Sequence, residues 1–381
     1  MRVEISIVVW LLLVPTFVTG EGGGKPLPFD DGGWELSGDS RVETYLGRPA
    51  LRMRTGGALR RGFTFEDGTI DFDLALTTHR TFSFVRLRRS AEGESEEFYF
   101  RGHKSELPDA VQYTPVWRGV GNWQLFHGPG YTAAAAFPRE QWFAVRIVLK
   151  GDRAAVFVGD LRAPRLVVPR LRRDPAAGGI ELAGFLPPGS APGGVFTTNV
   201  SNLVARPGEV PFDFPKAPPE TALPGVVREW QISPPFAPEK GAIASLPVTA
   251  VSAAGWKTVP AEPSGLVVVD RWVARPETEP RPAMLARIVV EAETKGVRRF
   301  RLGYSDEVTV FLDGRPLFSG DAHYSFDSPR QEGLIGLSQA TIYLPLRRGR
   351  NELVLAVADV FGGWGLMGQF EDPAGLTVAA R

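Results

Sequence analysis

Thr69-Ile-Asp-Phe-Asp-Leu-Ala-Leu76 alternates strictly. Ile70, Phe72, Leu74 and Leu76 fall on one side; Thr69, Asp71, Asp73 and Ala75 fall on the other. A helix would mix the two sets, so the pattern predicts a strand with one face in a core. Phe143-Ala-Val-Arg-Ile-Val-Leu-Lys150 repeats it. Gly151-Asp152 then turns the chain into Arg153-Ala-Ala-Val-Phe-Val158, a predicted hairpin. Phe82 to Arg88, Glu97 to Arg101, Trp123 to His127 and Val195 to Val204 are further strand candidates. No window shows helical periodicity. Glycine and proline make about a fifth of the 381 residues, which disfavours helices and favours short strands joined by turns.

The second half has the same style without repeating the sequence. Ala286 to Glu291, Arg298 to Tyr304 and Val308 to Leu312 alternate, and Asp313-Gly314 is the strongest hairpin signal in the chain. Thr341 to Leu346 and Glu352 to Val357 are expected to pair through Arg347-Arg-Gly-Arg350. Between the halves lie Pro207, Pro211, Pro215, Pro218, Pro219 and Pro224, the composition of an extended, semi-rigid linker. The expected fold is all-β: two antiparallel β-sandwich (jelly-roll) domains, 34–205 and 226–381, joined by a Pro-rich linker, 206–225.

Arg2, the apolar run Ile5 to Val14 and the small residues before Glu21 read as a signal peptide over 1–20, followed by a flexible leader over 21–33. The run is shorter than the ~20 residues a membrane-spanning helix needs. The expected product is a secreted or periplasmic protein of bacterial export type, with no integral membrane domain after signal cleavage. The chain has no cysteine, which excludes disulfides, thiolate metal sites and a cysteine nucleophile. Lys+Arg and Asp+Glu both number 43, so the basic excess of a nucleic-acid binder is absent. Neither a Gly-x-Ser-x-Gly elbow nor a phosphate-cradling Gly-Lys-Ser/Thr loop occurs.

Phe65-Glu-Asp-Gly-Thr-Ile-Asp-Phe-Asp73, Phe98-Tyr-Phe-Arg-Gly-His103, Asp109-Ala-Val-Gln-Tyr-Thr-Pro115 and Gly151-Asp-Arg-Ala-Ala-Val-Phe-Val158 occur in that order. With them the first half resembles concanavalin A-like lectin/glucanase domains, in particular exported modules of the 3-keto-disaccharide hydrolase-like group. The second half, through Val310-Phe-Leu-Asp-Gly-Arg-Pro-Leu317 and Gly349-Arg-Asn-Glu-Leu-Val-Leu-Ala-Val357, is similar to the galactose-binding-like jelly roll beside family 2 glycoside hydrolase catalytic domains. Both resemblances imply sugar recognition, and both folds host binders and enzymes alike.

Glucanases of the first fold carry a Glu-x-Asp-x-Glu strand, and the nearest match here has Thr69 in place of the first carboxylate. Asp71 and Asp73 remain the catalytic candidates, with Cα atoms about 6.6 Å apart on one strand face, against the ~5–5.5 Å between carboxyls of retaining glycosidases. The alternative is a solvated strand face. Glu94, Glu96 and Glu97 sit among Gly and Ser and read as an acidic loop. The richest constellation lies between Tyr99 and Tyr131. It supplies Arg101, His103, Asp109, Gln112, Tyr113, Trp117, Asn122 and Trp123 as ligand-binding candidates. Sugars present C–H faces and hydroxyl edges, so flat aromatics beside hydrogen-bonding groups suit them; the alternative is an aromatic core with ordinary surface polar groups. Tyr113 and Trp117 flank Pro115 in a segment that reads as loop. His79, His103 and His127 lack metal-ligand spacing, and no cofactor is expected, although loop oxygens at Asp30, Asp31 and Asp213 leave a structural calcium open. The leading expectation is an exported, non-catalytic carbohydrate-binding or accessory protein whose partner is a glycan or polysaccharide. A glycoside hydrolase is the first alternative and a cell-envelope structural or adhesion module the second. Phe361-Gly-Gly-Trp-Gly365 reads as a Trp closing one end of the second sandwich, with a stacking platform as the alternative.

Overall fold

A computed structural model describes residues 24–77, 80–187, 197–238, 243, 245–252, 254–276, 281–328 and 331–380. The signal-peptide reading (1–20), residues 21–23 of the expected leader and His79 lie outside the described residues. Among those described, nearly all regular structure is antiparallel strand. Among the described residues no helix is long and apolar enough to cross a membrane.

The first half is one continuous sheet curled into two layers. Along it lie Leu166–Val168, Arg153–Val158, Phe143–Lys150, Gly68–Leu76, Thr198–Pro207, Arg48–Arg60, Gly179–Phe185, Phe82–Arg89, Ser95–Arg101 and Val111–Trp117. Arg48–Arg60 belongs to both layers. Its Leu51 and Met53 pair with Val200 and Thr198, and its Gly56 to Leu59 pair with Gly184 to Glu181. The crossing needs Gly56, whose φ is +86°; a Cβ there would lie 2.3 Å from the Ser37 carbonyl oxygen. Alternation then fills the space between layers. Ile70, Phe72 and Leu74 from one layer meet Val85, Phe98, Phe100 and Tyr113 from the other. Phe72 and Phe100 touch edge-on, 6.1 Å between ring centres.

The described part of the expected leader is docked. Lys25–Pro26 pairs with Ala205 and Val204, Leu27 is fully buried, and Asp31 takes both Arg60 guanidinium nitrogens at 2.6 and 2.7 Å. Residues of the expected linker are held in the same way. Val210, Phe212 and Phe214 pack against Val148, Ala155 and Phe157, and Glu220 pairs with Arg172 at 2.6 Å. Proline keeps this stretch extended, but its apolar side chains bind it to the outer face of the first sandwich.

The second half is a sandwich of a seven-stranded and a four-stranded sheet. Trp230, Phe300, Trp364 and Phe370 lie in the core between them, each 0–1% exposed, so Trp364 is a structural plug. Leu312 pairs with Arg315, with Asp313 and Gly314 both at positive φ, which is the predicted two-residue turn. The predicted pairing of Thr341–Leu346 with Glu352–Val357 does not form. Ala340–Leu346 pairs with Gly296–Ser305 in the four-stranded sheet, whereas Gly349–Ala358 pairs with Ala283–Ala292 in the seven-stranded one. The connection changes layers, and buried Asn351 fixes the corner by donating to the carbonyls of Arg347 and Gly349 while accepting from Arg347 N.

The two halves share a packed seam. Trp117, Leu125 and Phe126 from the first half meet Leu266, Val268, Ile335 and Met367 from the second. Gln124 lies inside this seam. It donates to Asp306 at 3.0 Å and accepts from Gly363 N at 2.7 Å. His127 Nε2 lies 2.7 Å from the Ile335 carbonyl oxygen.

Candidate functional site

In the Phe82–Arg89 and Ser95–Arg101 strands, residues that alternate with the core point outward. Phe82, Phe84, Arg86, Glu97, Tyr99 and Arg101 therefore share one outer face. The loops of the second half that carry Tyr324, Phe326 and Phe361 stand over this face. Between them is a cleft of about 670 Å³, within the range of ~300–1,000 Å³ usual for small-ligand sites.

Its walls are aromatic. Phe82 and Phe84 lie nearly parallel, 6.5 Å apart at 8°, and Tyr99 meets Phe84 edge-on at 4.4 Å. Trp123 meets Tyr324 of the second half edge-on at 5.2 Å, and Phe326 packs on Phe361 at 5.1 Å. Arg80 joins the two halves. It donates to the Tyr324 hydroxyl and the Phe326 carbonyl, with its guanidinium 5.8 and 5.6 Å from the ring centres of Phe82 and Phe326.

Between the aromatics lie paired charges. Arg86 donates to Glu97 at 2.6 Å and Glu181 at 3.2 Å. Burial alone would lower the Arg86 pKa, but these two carboxylates outweigh it and hold it above its ordinary value. Arg101 lies over the Tyr99 ring at 5.0 Å and the Trp123 ring at 5.9 Å. It is tethered to the Asp109 carbonyl at 2.7 Å and to Gln112. Lys104 pairs with Asp109 at 2.5 Å. Burial, with Arg80 and Arg101 nearby, depresses the His103 pKa to about 4, so this ring is neutral at neutral pH. On the opposite wall Arg275 pairs with Asp359 at 2.5 Å and holds Asp270 through two contacts of 2.7 and 2.9 Å. Burial pushes the Asp359 carboxyl well above the usual carboxylate range; Arg275 opposes this shift and Asp306 and Asp270 add to it.

Of the sequence candidates, Arg101, His103, Asp109 and Trp123 line this cleft. Gln112 stands behind it, 2% exposed, donating to the Trp123 and Phe126 carbonyls at 2.8 and 2.5 Å. Three expectations need correction. Tyr113 and Trp117 are not on a loop, because Val111–Trp117 is a strand paired with Ser95–Arg101. Tyr113 is 0% exposed in the first core and its hydroxyl donates to Glu96 at 2.6 Å; Trp117 is 5% exposed in the seam. Asn122, also fully buried, donates to the Val120 carbonyl at 2.9 Å and closes a turn.

Asp71 and Asp73 do share a face, as expected, but it is the outer face of the other layer, away from the cleft. Asp71 takes Arg146 at 2.6 and 3.1 Å, and also Arg206. Asp73 takes Arg48 at 2.5 Å and Asn202 at 2.6 Å. Neither carboxylate lines a groove beside Trp117. His103 lines the cleft and His127 lies in the seam, and no group of three or more His, Asp or Glu side chains is placed to hold a metal among the described residues. Of the calcium candidates, Asp31 is occupied by Arg60, whereas Asp30 and Asp213 are exposed.

The sequence reading missed Arg86, Glu97, Glu181 and the aromatics at 82, 84, 324, 326 and 361. The signal for the first layer was weak: in Phe82-Ser-Phe-Val-Arg-Leu87 both strand faces mix apolar and polar residues, so the pattern does not say which face meets the core. Glu96 and Glu97, read as an acidic loop, lie in the fully buried strand Ser95–Arg101.

No family model matches the chain, and no curated protein matches it. Among solved structures, carbohydrate-binding module CBM66 from Bacillus subtilis aligns at 13% identity over 45% of this chain and 93% of its own, with a TM-score of 0.34. Bacillus licheniformis β-glucanase aligns at 16% over 50% and 100%, with a TM-score of 0.35. A B. subtilis protein of unknown function with a galectin-like fold aligns at 10% over 45% and 88%, with a TM-score of 0.32. These values carry no functional argument. The β-sandwich assignment rests on the strand pairing and packing described above.

Proposed function

We propose that this chain is an exported carbohydrate-binding protein whose site is the cleft between its two halves. The observation that carries the reading is the composition of that cleft. Half-buried aromatic rings from both halves enclose a space lined by hydrogen-bonding groups already held in place. Aromatic faces suit the C–H faces of sugar rings, and fixed polar groups at their edges suit hydroxyls. Preset side chains lose little freedom when a ligand arrives, which favours affinity. The site belongs to both halves, because neither Trp123 nor Tyr324 alone encloses it. Export rests on the apolar run at Ile5 to Val14 and the small residues before Glu21.

A second reading, hydrolysis, has one specific observation in its favour. Asp359 is a cleft-lining carboxyl whose pKa burial raises, the property of a proton donor. Glu97, 1% exposed on the facing wall, is the available second carboxylate.

The test is a glycan array on the full chain, followed by titration calorimetry of the strongest binder. Trp123→Ala should weaken binding by about 10-fold or more, the effect of losing ~1.4 kcal/mol of contact. Unchanged affinity in that variant would remove the cleft from consideration. Release of reducing ends from the bound glycan, lost in Asp359→Asn, would favour hydrolysis over binding alone.

A further inference from the structure

The charges in the cleft say which glycans it accepts, given the reading of the cleft as a glycan site. Among the described residues, every basic side chain lining it is neutral or already faces protein acids. Arg86 lies between Glu97 and Glu181, and Glu181 also takes Arg89 at 2.6 Å. Lys104 lies between Asp109 and Glu332, at 2.5 and 3.4 Å. Arg101 shares Asp109 at 3.8 Å and gives its nearer hydrogen bonds to the Asp109 carbonyl and Gln112. Arg275 faces Asp270 and Asp359. His103 is 4.9 Å from the Phe82 ring and packs as an aromatic. Arg80 has no acid partner within salt-bridge distance among the described residues, but it is not part of the lining and is engaged by Tyr324 and Phe326.

An anionic sugar entering this cleft would lose hydration and find no free cation among the described residues to replace it. It would also face Glu97, Glu181 and Asp109 at short range. A neutral ring meets neither cost. We infer that the cleft takes neutral, hydroxyl-rich sugar rings and rejects uronate-containing and sulfated glycans. Selectivity of this kind works by repulsion as much as by attraction.

The same geometry specifies how to reverse the preference. Glu181 is shared by Arg86 and Arg89, so Glu181→Gln leaves Arg89 without its acid and Arg86 with Glu97 alone. The experiment titrates the full chain and the Glu181→Gln variant with the strongest neutral binder from the array and with tetragalacturonate, at low and high sodium chloride. Melting curves on both proteins establish that the variant is folded. The expected result for the natural chain is neutral binding insensitive to salt, with tetragalacturonate at least about 10-fold weaker. Glu181→Gln should tighten tetragalacturonate several-fold at low salt, and high salt should erase the gain. Tetragalacturonate binding as tight as the best neutral glycan, lost in Trp123→Ala, would overturn the inference and leave the cleft as a glycan site. Failure of every arrayed glycan, neutral or anionic, to bind would overturn the glycan reading and the inference together.

Discussion

The two outer faces of the first sandwich are built alike and offer different chemistry. One carries Asp71, Asp73, Arg48, Arg146 and Arg206; the other carries Arg86, Glu97, Glu181 and Arg101. Both are ladders of arginine and carboxylate on alternating strands. On the first face the pairs meet solvent and the docked 206–225 segment. On the second they are interleaved with Phe82, Phe84 and Tyr99 and roofed by Tyr324, Phe326 and Phe361 of the other half. A charged ladder alone is therefore a poor guide to a site. What distinguishes the second face is the aromatic surface between the charges and the second wall that converts a face into a cleft.

The largest effect expected on perturbing this contrast comes from an aromatic on neither face. Trp117→Ala should cost ~3–5 kcal/mol in thermal or denaturant unfolding, with glycan affinity per folded molecule retained. A stable Trp117→Ala variant that had lost binding would return Trp117 to the site. The next effect is pH-dependent. Burial pushes the Glu96 carboxyl up to about 7 from its ordinary 4.5, against the pull of Tyr113, Arg173 and Arg88. Between those values the unfolded chain has released a proton that the folded chain keeps. This contribution therefore favours folding in acid, declines as pH rises from about 4.5 to about 7, and stays low above that. Glu96→Gln should flatten that decline, gaining up to about 3 kcal/mol at pH 8 relative to its own effect at pH 4. His103 works in the opposite sense. Burial holds its pKa at about 4 rather than 6.5, so it costs stability as pH falls through that interval. Measuring variant and natural chain at the same pH cancels the His103 contribution. An Asp71→Asn change should have the smallest effect, within about 1 kcal/mol for an ion pair at the surface, with no change in glycan affinity. Loss of binding in Asp71→Asn with normal melting would invert the comparison between the two faces.

The all-β class was legible because alternation is a local signal. Ile70, Phe72 and Leu74 declare a buried face whatever surrounds them, and Asp313-Gly314 declares its own turn. Layer assignment was not legible, because it depends on partners far away in sequence. Thr341–Leu346 and Glu352–Val357 look like a hairpin until their partners in different sheets are known. The site was half legible for the same reason. Arg101, His103, Asp109 and Trp123 lie close in sequence and in the cleft. Tyr113 and Trp117 belong to that run, yet the pleat turns Tyr113 into the core and the second half covers Trp117. Tyr324, Phe326 and Phe361 reach the cleft only through the docking of the two halves around Gln124, a long-range event that no local pattern records.

Hydrogen–deuterium exchange of the full chain, with and without a saturating amount of its strongest neutral glycan, tests the central claim most directly. The cleft reading predicts slowed exchange in residues 102–109, 118–123 and 360–363, from both halves at once, with Gly68–Leu76 and Phe143–Lys150 unchanged. Slowed exchange confined to Gly68–Leu76 and its neighbours, with both cleft walls unaffected, would contradict it and place the glycan on the Asp71 face.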